Sequence, residues 1–264
     1  LSWNALHASE NANKATLAKY ERLLSGENTK RITTAAITED LDTGVGKVLA
    51  AIERLGLAGN TYVIYMSDNG AGGGKKVLNG GKGGVWEGGI RVPFILRGPG
   101  VKPDSWCHQR IVGYDLYPTF CEWGGVQADA LPKGIEGGSI VSLLTSNDHS
   151  DVKRPRDELV FHFPHYQGDA PHSAILLGDL KLIHFYEDNR DVLFNLSKDV
   201  GERNDLAERM PVEAKKLRNR LDTYLAAVDA QFPAPNPNYD PSQPAALERG
   251  QGGKGKNAGK KPKK

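Results

Sequence analysis

The 264-residue sequence contains very little cysteine and no long apolar run. Its two cysteines, Cys107 and Cys121, are too few for a disulfide framework or a cysteine-based metal knuckle. No stretch reaches the roughly 18 consecutive apolar residues that a membrane helix needs, so we expect no membrane span. No signal peptide is recognisable, and the chain does not begin with methionine. The opening Leu1-Ser-Trp3 resembles the middle of a strand, so we expect a preceding segment.

Basic residues are concentrated at the carboxy terminus. The 34 Lys and Arg and 32 Asp and Glu residues give a net charge of +2, yet residues 248–264 hold seven basic residues and a single acid. The rest of the chain is therefore mildly acidic. A basic tail can bind polyanions by charge alone, but it lacks the interleaved aromatic side chains that stack on bases, so we expect no specific nucleic-acid recognition.

Hydrophobic periodicity predicts an α/β fold with a second, smaller unit. Apolar runs at Tyr62–Met66 and Val92–Leu96 predict buried strands, and the three-and-four spacing from Ile37 to Leu55 predicts a helix that Gly56 ends. A short helix is expected near 114–120. Further along, short apolar runs predict an antiparallel sheet, and a helix is expected last; these elements cover residues 158–161, 173–177, 181–185, 192–194 and 211–228.

The first apolar run ends in Ser67-Asp68-Asn69-Gly70, which places two oxygen-bearing side chains after a strand. Ligands gather at the carboxyl ends of strands in open α/β sheets. Oxygen-only donors suit a hard cation such as calcium or magnesium, whereas zinc favours His or Cys. Asp68 and Asn69 are therefore candidate metal ligands. The alternative is a simple Asx-type turn, because Asp-Asn-Gly is a common turn sequence.

A glycine-rich loop follows, with Gly80-Gly-Lys82-Gly-Gly84 and then Trp86-Glu-Gly-Gly-Ile-Arg-Val-Pro93. Together with Ser67-Asp68-Asn69-Gly70, this pattern resembles the sulfatase family, the arylsulfatases of the alkaline-phosphatase-like superfamily. The resemblance implies that Asp68 and Asn69 bind one divalent cation, calcium or else magnesium, and that Lys82 binds the sulfate group. Arg91 is expected to be a buried ion-pair member, because a buried guanidinium needs a partner.

Two histidines receive roles from the same resemblance. His7 occupies the position of a family histidine that contacts sulfate and the departing oxygen, although Ser9 stands where proline is usual. Histidine suits proton transfer near neutral pH. His165, in the His162-Phe-Pro-His165-Tyr166 segment, is a candidate substrate contact at the pocket rim. The alternative for His7 is an ordinary surface or capping residue, and the alternative for His165 is a loop residue that only hydrogen-bonds the backbone.

The resemblance covers roughly residues 1–239 and implies an alkaline-phosphatase-like fold. A central mixed sheet flanked by helices is expected in residues 1–150, and a smaller antiparallel sheet with a helix in 151–240. Residues 241–264 are expected to be a disordered basic tail, because glycine and lysine dominate it.

The implied activity is the hydrolysis of a sulfate ester, on a sulfated sugar, a polysaccharide or an aryl sulfate, in the periplasm or outside the cell. The family's nucleophile is formylglycine, made from a Cys/Ser-x-Pro-x-Arg motif, and neither Cys107 nor Cys121 lies in one. We therefore expect the nucleophile in a missing amino-terminal part and little activity from this chain alone. The alternatives are a phosphodiesterase or phosphomutase of the same superfamily, which typically has Asp-His-Gly at residues 68–70, and a non-catalytic polyanion-binding fragment.

Overall fold

The computed structural model describes residues 1–7, 10–70, 77–145, 151–167, 169–234 and 236–237. Two compact units are present, one formed by residues 1–64 and 96–103 and the other by residues 65–95 and 104 onward. The predicted boundary at residue 150 lies inside the second unit and remains a prediction. The predicted disordered tail, 241–264, lies outside the described residues. No helix in the described ranges has the length and apolar character needed to cross a membrane.

The first unit contains two helices, α1 (Lys14–Leu23) and α2 (Thr29–Arg54). Asp40 of α2 joins them, because its carboxylate accepts hydrogen bonds from the Asn13 backbone N–H and the Thr16 hydroxyl, both at 2.7 Å. The helix predicted from Ile37 ends where expected but begins earlier, at Thr29, where the Asn28 side chain caps it. Residues 1–7 contain no strand, so the strand predicted around Leu1-Ser-Trp3 is wrong.

Strands β1 (Val63–Met66) and β2 (Phe94–Arg97) form a two-stranded sheet. Both were predicted, each within two residues of its observed ends, but the prediction that they are buried is wrong, because their residues are half-buried or exposed. The boundary between the two units passes through both strands, so the segment that follows β1 and the segment that precedes β2 belong to the second unit. That segment, residues 65–95, carries the motifs on which the functional prediction depends.

The second unit is built on a four-stranded antiparallel sheet of β3 (Leu159–Phe163), β4 (His172–Leu177), β5 (Leu180–Phe185) and β6 (Arg190–Asn195), in that order. Neighbouring strands in the sheet are also neighbours in sequence. The β4–β5 pair is closed by a tight turn at Gly178, whose positive φ of 55° suits glycine. All four strands and the terminal helix α6 (Pro211–Ala227) agree with the prediction.

The sheet packs on both faces because its apolar side chains alternate. One face contacts α6 and forms a core of buried side chains: Ile175, Leu182, Leu193, Ala214, Leu217, Leu221 and Leu225. The other face has its own buried set, which is Val85, Leu159, Ala174, Leu176, Ile183, Phe185, Val192, Phe194 and Leu196. Trp86 and Ile90 pack against this second core. The glycine-rich segment is therefore part of the sheet's hydrophobic core.

Short helices complete the second unit: α3 (Glu87–Ile90), α4 (Leu116–Trp123) and α5 (Val141–Thr145). Single 3₁₀ turns occur at Gly113–Asp115 and Ala128–Ala130, and another at Ala58–Asn60 in the first unit. Asp115 precedes α4 and is fully buried, with Arg154 Nη2 at 2.7 Å from its Oδ2. Backbone N–H groups of Val112 and Gly138 also donate to Asp115, so its role is structural.

Candidate active site

Asp68 and Asn69 follow β1 directly. Asp68 is exposed and Asn69 is half-buried, and the Asn69 Nδ2 amide donates to Asp68 Oδ1 at 2.6 Å. That hydrogen bond lowers the pKa of the Asp68 carboxyl, with a smaller contribution from the positive charge of Lys82. Asp68 therefore carries a negative charge at neutral pH.

The Asp68-Asn69 pair fits part of a calcium site. It offers carboxylate and amide oxygens with one negative charge, in a solvent-accessible position, which suits a hard cation. Calcium takes roughly six to eight oxygen ligands, so two residues cannot complete its shell. Within the described part of the chain, no three His, Cys, Asp or Glu residues cluster around a common point. Further ligands would have to come from other groups.

Gly70 connects this pair to the glycine-rich loop. Its N–H donates to the Gly89 carbonyl at 2.8 Å. A Cβ at Gly70 would lie 1.9 Å from the Gly88 oxygen, so only glycine allows the two backbones to approach this closely. The contact fixes the Asp68-Asn69 pair against the loop that carries Lys82.

We call residues 79–90 the Lys82 loop. Lys82 itself is exposed, and the loop closes on itself because the Gly88 N–H donates to the Asn79 carbonyl at 2.7 Å. Gly83 has a φ of 85°, and a Cβ there would lie 2.3 Å from the Gln167 carbonyl oxygen. The backbone next to Lys82 therefore packs directly against the segment after β3.

Two hydrogen bonds attach the middle of the Lys82 loop to residues 169–172, at the start of β4. The Val85 N–H donates to His172 Nε2 at 2.9 Å, while His172 Nδ1 lies 2.5 Å from the Ala170 carbonyl. Since a carbonyl only accepts, His172 carries its proton on Nδ1 and is neutral. Burial lowers the pKa of His172, which favours this neutral form. The Trp86 indole N–H also donates to Asp169 Oδ2, at 2.8 Å.

A buried ion cluster holds the end of the loop. Lys181 of β5 is 0 % exposed, and its Nζ lies 2.9 Å from Glu87 Oε1 and 2.7 Å from Glu202 Oε1. The first contact is a hydrogen bond. The second has the distance of an ion pair without hydrogen-bond geometry. Burial raises the pKa of the Glu202 carboxyl, and the Lys181 ammonium opposes that rise.

Glu202 also contacts the loop backbone. Its Oε2 accepts from the Glu87 N–H at 2.8 Å, and its carbonyl accepts from Asn79 Nδ2 at 3.4 Å. Arg91 Nη1 lies 3.5 Å from Glu87 Oε2, but its side chain is 58 % exposed. The prediction that Arg91 is buried is therefore wrong, because the guanidinium reaches solvent from the rim of the cluster.

Sequence reasoning gave no role to His172, Lys181 or Glu202. The sequence did contain a signal for Lys181. It lies two residues before Ile183 and four before Phe185 on β5, so its side chain faces the same core as those apolar residues. A lysine in a buried register needs an acidic partner. That partner could not be identified from the sequence, because Glu87 lies 94 residues away.

The two predicted histidines occupy different units. His165 is exposed in the segment after β3, two residues before Gln167, which abuts Gly83 of the Lys82 loop. This placement puts its segment beside the loop, and substrate contact remains a prediction. His7 is exposed and belongs to the first unit, so its action together with Lys82 also remains a prediction.

Comparison with family models gives two overlapping matches. Residues 7–126 match the model described as "Sulfatase". Residues 81–231 match the model described as "N-sulphoglucosamine sulphohydrolase, C-terminal". The overlap begins at residue 81, so both models include Lys82 and the rest of the Lys82 loop after it.

Curated and solved proteins give concordant similarities. A "Sulfatase" of Formosa agariphila is 37% identical over 218 residues, covering 72% of this chain and 39% of that protein. An "N-acetylglucosamine-6-O-sulfatase" of Bacteroides thetaiotaomicron is 28% identical, covering 75% of this chain and 35% of that protein. The crystal structure of Ps i-CgsB superposes with a TM-score of 0.73 at 25% identity, over 89% of this chain and half of that one.

These similarities bear on both fold and extent. The superposition confirms the predicted alkaline-phosphatase-like α/β class, of which the described residues contribute β1, β2 and a four-stranded antiparallel sheet. The chain spans 39% and 35% of the lengths of these two curated relatives and half of the solved one.

Proposed function

This chain belongs to the sulfatase family, and we propose that it supplies part of the active site of a sulfuric ester hydrolase. The observation that supports this proposal most directly is the hydrogen bond from the Gly70 N–H to the Gly89 carbonyl at 2.8 Å, which joins the segment that carries Asp68 and Asn69 to the loop that carries Lys82. An anionic metal-binding position beside a lysine suits a sulfate group, whose oxygens can contact both.

In this proposal, each residue either binds or stabilises a charge or transfers a proton. Lys82 binds a sulfate oxygen and stabilises the negative charge that develops during S–O cleavage. Asp68 and Asn69 hold the cation, and a bound calcium ion would polarise the sulfate oxygens. His7 donates a proton to the departing alcohol. The nucleophile would be formylglycine from a Cys/Ser-x-Pro-x-Arg motif, which neither cysteine of this sequence provides.

For the substrate we propose a sulfated sugar, with His165 and Tyr166 as rim contacts. The relative named N-acetylglucosamine-6-O-sulfatase supports this class. The exposed imidazole and phenol of these residues can donate hydrogen bonds to sugar hydroxyls and pack on the sugar ring. We also propose an extracytoplasmic location, where calcium concentrations suit the weaker sites typical of extracellular proteins.

The decisive experiment compares a sulfate ester with the corresponding phosphate ester, using a polypeptide that contains these 264 residues and the formylglycine motif. Sulfate should be hydrolysed preferentially, because Asn69 stands where two-metal phosphodiesterases typically have histidine, and a carboxamide is a poor zinc ligand. A preference for phosphate by orders of magnitude would overturn the proposal. Glucosamine 6-sulfate and an aryl sulfate, as parallel substrates, test the sugar assignment.

Two variants of the same polypeptide separate the proposed roles. Lys82→Ala should reduce kcat/KM for every sulfate ester, whereas the exposed-lysine control Lys198→Ala should not. His7→Ala should reduce hydrolysis of sugar sulfates by about 10²- to 10⁴-fold, and that of nitrophenyl sulfate far less, because an activated phenol leaves without protonation. Equal losses on both esters would exclude His7 as the proton donor.

A further inference from the structure

We propose that Lys181 and Glu202 are positioning residues that set the location of Lys82 through the buried carboxylate of Glu87. The proposal rests on the assignment of Lys82 to the sulfate group. It adds to that assignment a reason why a solvent-exposed lysine on a glycine-rich loop has a defined position.

The first step is the cost of burying these charges. Lys181, Glu87 and Glu202 are 0 %, 5 % and 3 % exposed. Such groups are rarely buried unless paired, since removing an ion from water costs several kcal/mol. An apolar residue at position 181 would lie on the same face of β5 as Ile183 and Phe185 and would fit the core there. The ion cluster is therefore a poor means of stabilising the sheet, and its clearest structural consequence is the fixed position of Glu87.

The second step is the connection from Glu87 to the Lys82 loop. Glu87 begins α3 at the end of the loop, and its N–H and carboxylate are both held, by Glu202 and Lys181 respectively. The next residue, Gly88, closes the loop by its hydrogen bond to Asn79, which Glu202 also contacts. Glu202 thus touches both ends of the segment that presents Lys82.

The third step is the coupling to the metal-binding pair. Gly89 accepts from Gly70, immediately after Asp68 and Asn69. A shift of α3 would therefore change the separation between Lys82 and the Asp68-Asn69 pair. The cluster on β5 and the Glu202 turn thereby controls the spacing of the two charged parts of the proposed sulfate site.

Amide hydrogen exchange on the 264-residue chain tests the positioning without requiring activity. Lys181→Met retains the side-chain length but leaves two buried carboxylates without their cation. The N–H groups of Val85, Glu87 and Gly88 should exchange at least about tenfold faster, while those of α6 remain unchanged. Unchanged loop rates, or the same acceleration throughout α6, would overturn the proposal.

Further variants keep the test decisive if Lys181→Met folds poorly. Glu202→Met removes the acceptor of the Glu87 N–H and one partner of Lys181, so the N–H groups of Glu87 and Gly88 should again exchange at least about tenfold faster, and unchanged rates would overturn the proposal. Glu202→Gln can still accept from the Glu87 N–H and leaves Lys181 paired with Glu87, so loop exchange should rise by less than about threefold. The matched control is Arg154→Met, which breaks a buried pair with Asp115 in the same unit. It should destabilise the chain without selectively accelerating the loop; a selective loop effect there would count against Lys181.

A double-mutant cycle in the polypeptide with the formylglycine motif tests whether the effect acts through Lys82. Lys181→Met should reduce kcat/KM for sulfate esters in the wild-type background and have little effect when Lys82 is already alanine. Additive losses would indicate a general structural role and overturn the proposal. If Lys82→Ala alone leaves hydrolysis intact, the proposed function of Lys82 fails, whereas the exchange experiment still decides the positioning.

Discussion

His172 connects a titratable ring directly to the backbone of the Lys82 loop. Its Nε2 accepts the Val85 N–H only while the ring is neutral, and burial lowers its pKa, with the nearby Lys181 charge acting in the same direction. Protonation of this ring would replace an acceptor with a second donor facing an N–H group. We therefore expect acidification to weaken the attachment of the Lys82 loop to β4.

The sign of the pH dependence follows from linkage. The folded chain holds the His172 proton less tightly than the unfolded chain, whose histidine pKa is about 6.5. This contribution to stability is complete above that value and is lost as the pH falls below it, by at most about 1.4 kcal/mol per pH unit. Urea unfolding between pH 8 and 5 should show a smaller decline in His172→Gln than in wild type. Parallel declines would contradict the assignment.

Individual site residues differed in how far the sequence revealed them. Asp68, Asn69 and Lys82 lie in one continuous pattern after a strand, so the local sequence was enough to propose them as site residues. Lys181 and Glu202 act on that pattern from more than 90 residues away, and no local spacing encodes their contact. His172 likewise depends on the fold, because only the strand order brings β4 under Val85.

At the level of elements, prediction succeeded best where an element is buried. The strands of the antiparallel sheet are covered by a core on each face, which produces short continuous apolar runs in the sequence. Helix α1 was not predicted, and it buries none of its residues. The start of α2 was also missed: residues 29–36 are rich in threonine, and only the cap at Asn28 marks the helix start.

Two glycines with positive φ, one in the Lys82 loop and one in the β4–β5 turn, permit a matched comparison. Gly83 and Gly178 have φ angles of 85° and 55°, but a Cβ at Gly178 would meet nothing within 4 Å. Gly178→Ala should lower the free energy of unfolding by about 1 kcal/mol through backbone strain alone. Gly83→Ala should lower it by a further 1–3 kcal/mol or so, because the Gln167 carbonyl must move. Urea titrations of both variants provide the measurement.

The same comparison also tests whether the Lys82 loop packs against the segment after β3. Equal losses of stability in the two variants would mean that the loop does not depend on its contact with the segment after β3. A larger loss in Gly83→Ala, accompanied by faster exchange of the Val85 N–H, would support the described packing. Lys82 lies next to Gly83, so the same variant should also weaken hydrolysis of sulfate esters.

For the whole molecule, charge and candidate chemistry reside in different parts of the sequence. The Asp68, Lys82 and Lys181 contacts lie within the mildly acidic part, whereas seven of the 34 basic residues lie in 248–264. A sulfated polysaccharide could therefore bind through the terminal lysines without engaging the Lys82 loop. This possibility is the remaining form of the polyanion-binding alternative.

Deletion of residues 249–264 separates the two activities. The truncation removes seven positive charges and no acid, and so turns the net charge of +2 negative. Affinity for heparin resin should fall by about tenfold or more at low salt, because polyanion binding of this kind depends on the number of neutralised charges and is salt-sensitive. In the polypeptide with the formylglycine motif, hydrolysis of a small aryl sulfate should be unchanged, while Lys82→Ala should give the opposite pattern. Full heparin affinity after truncation would place the polyanion contact within residues 1–248, and lost hydrolysis would make the basic terminus part of the enzyme's catalytic apparatus.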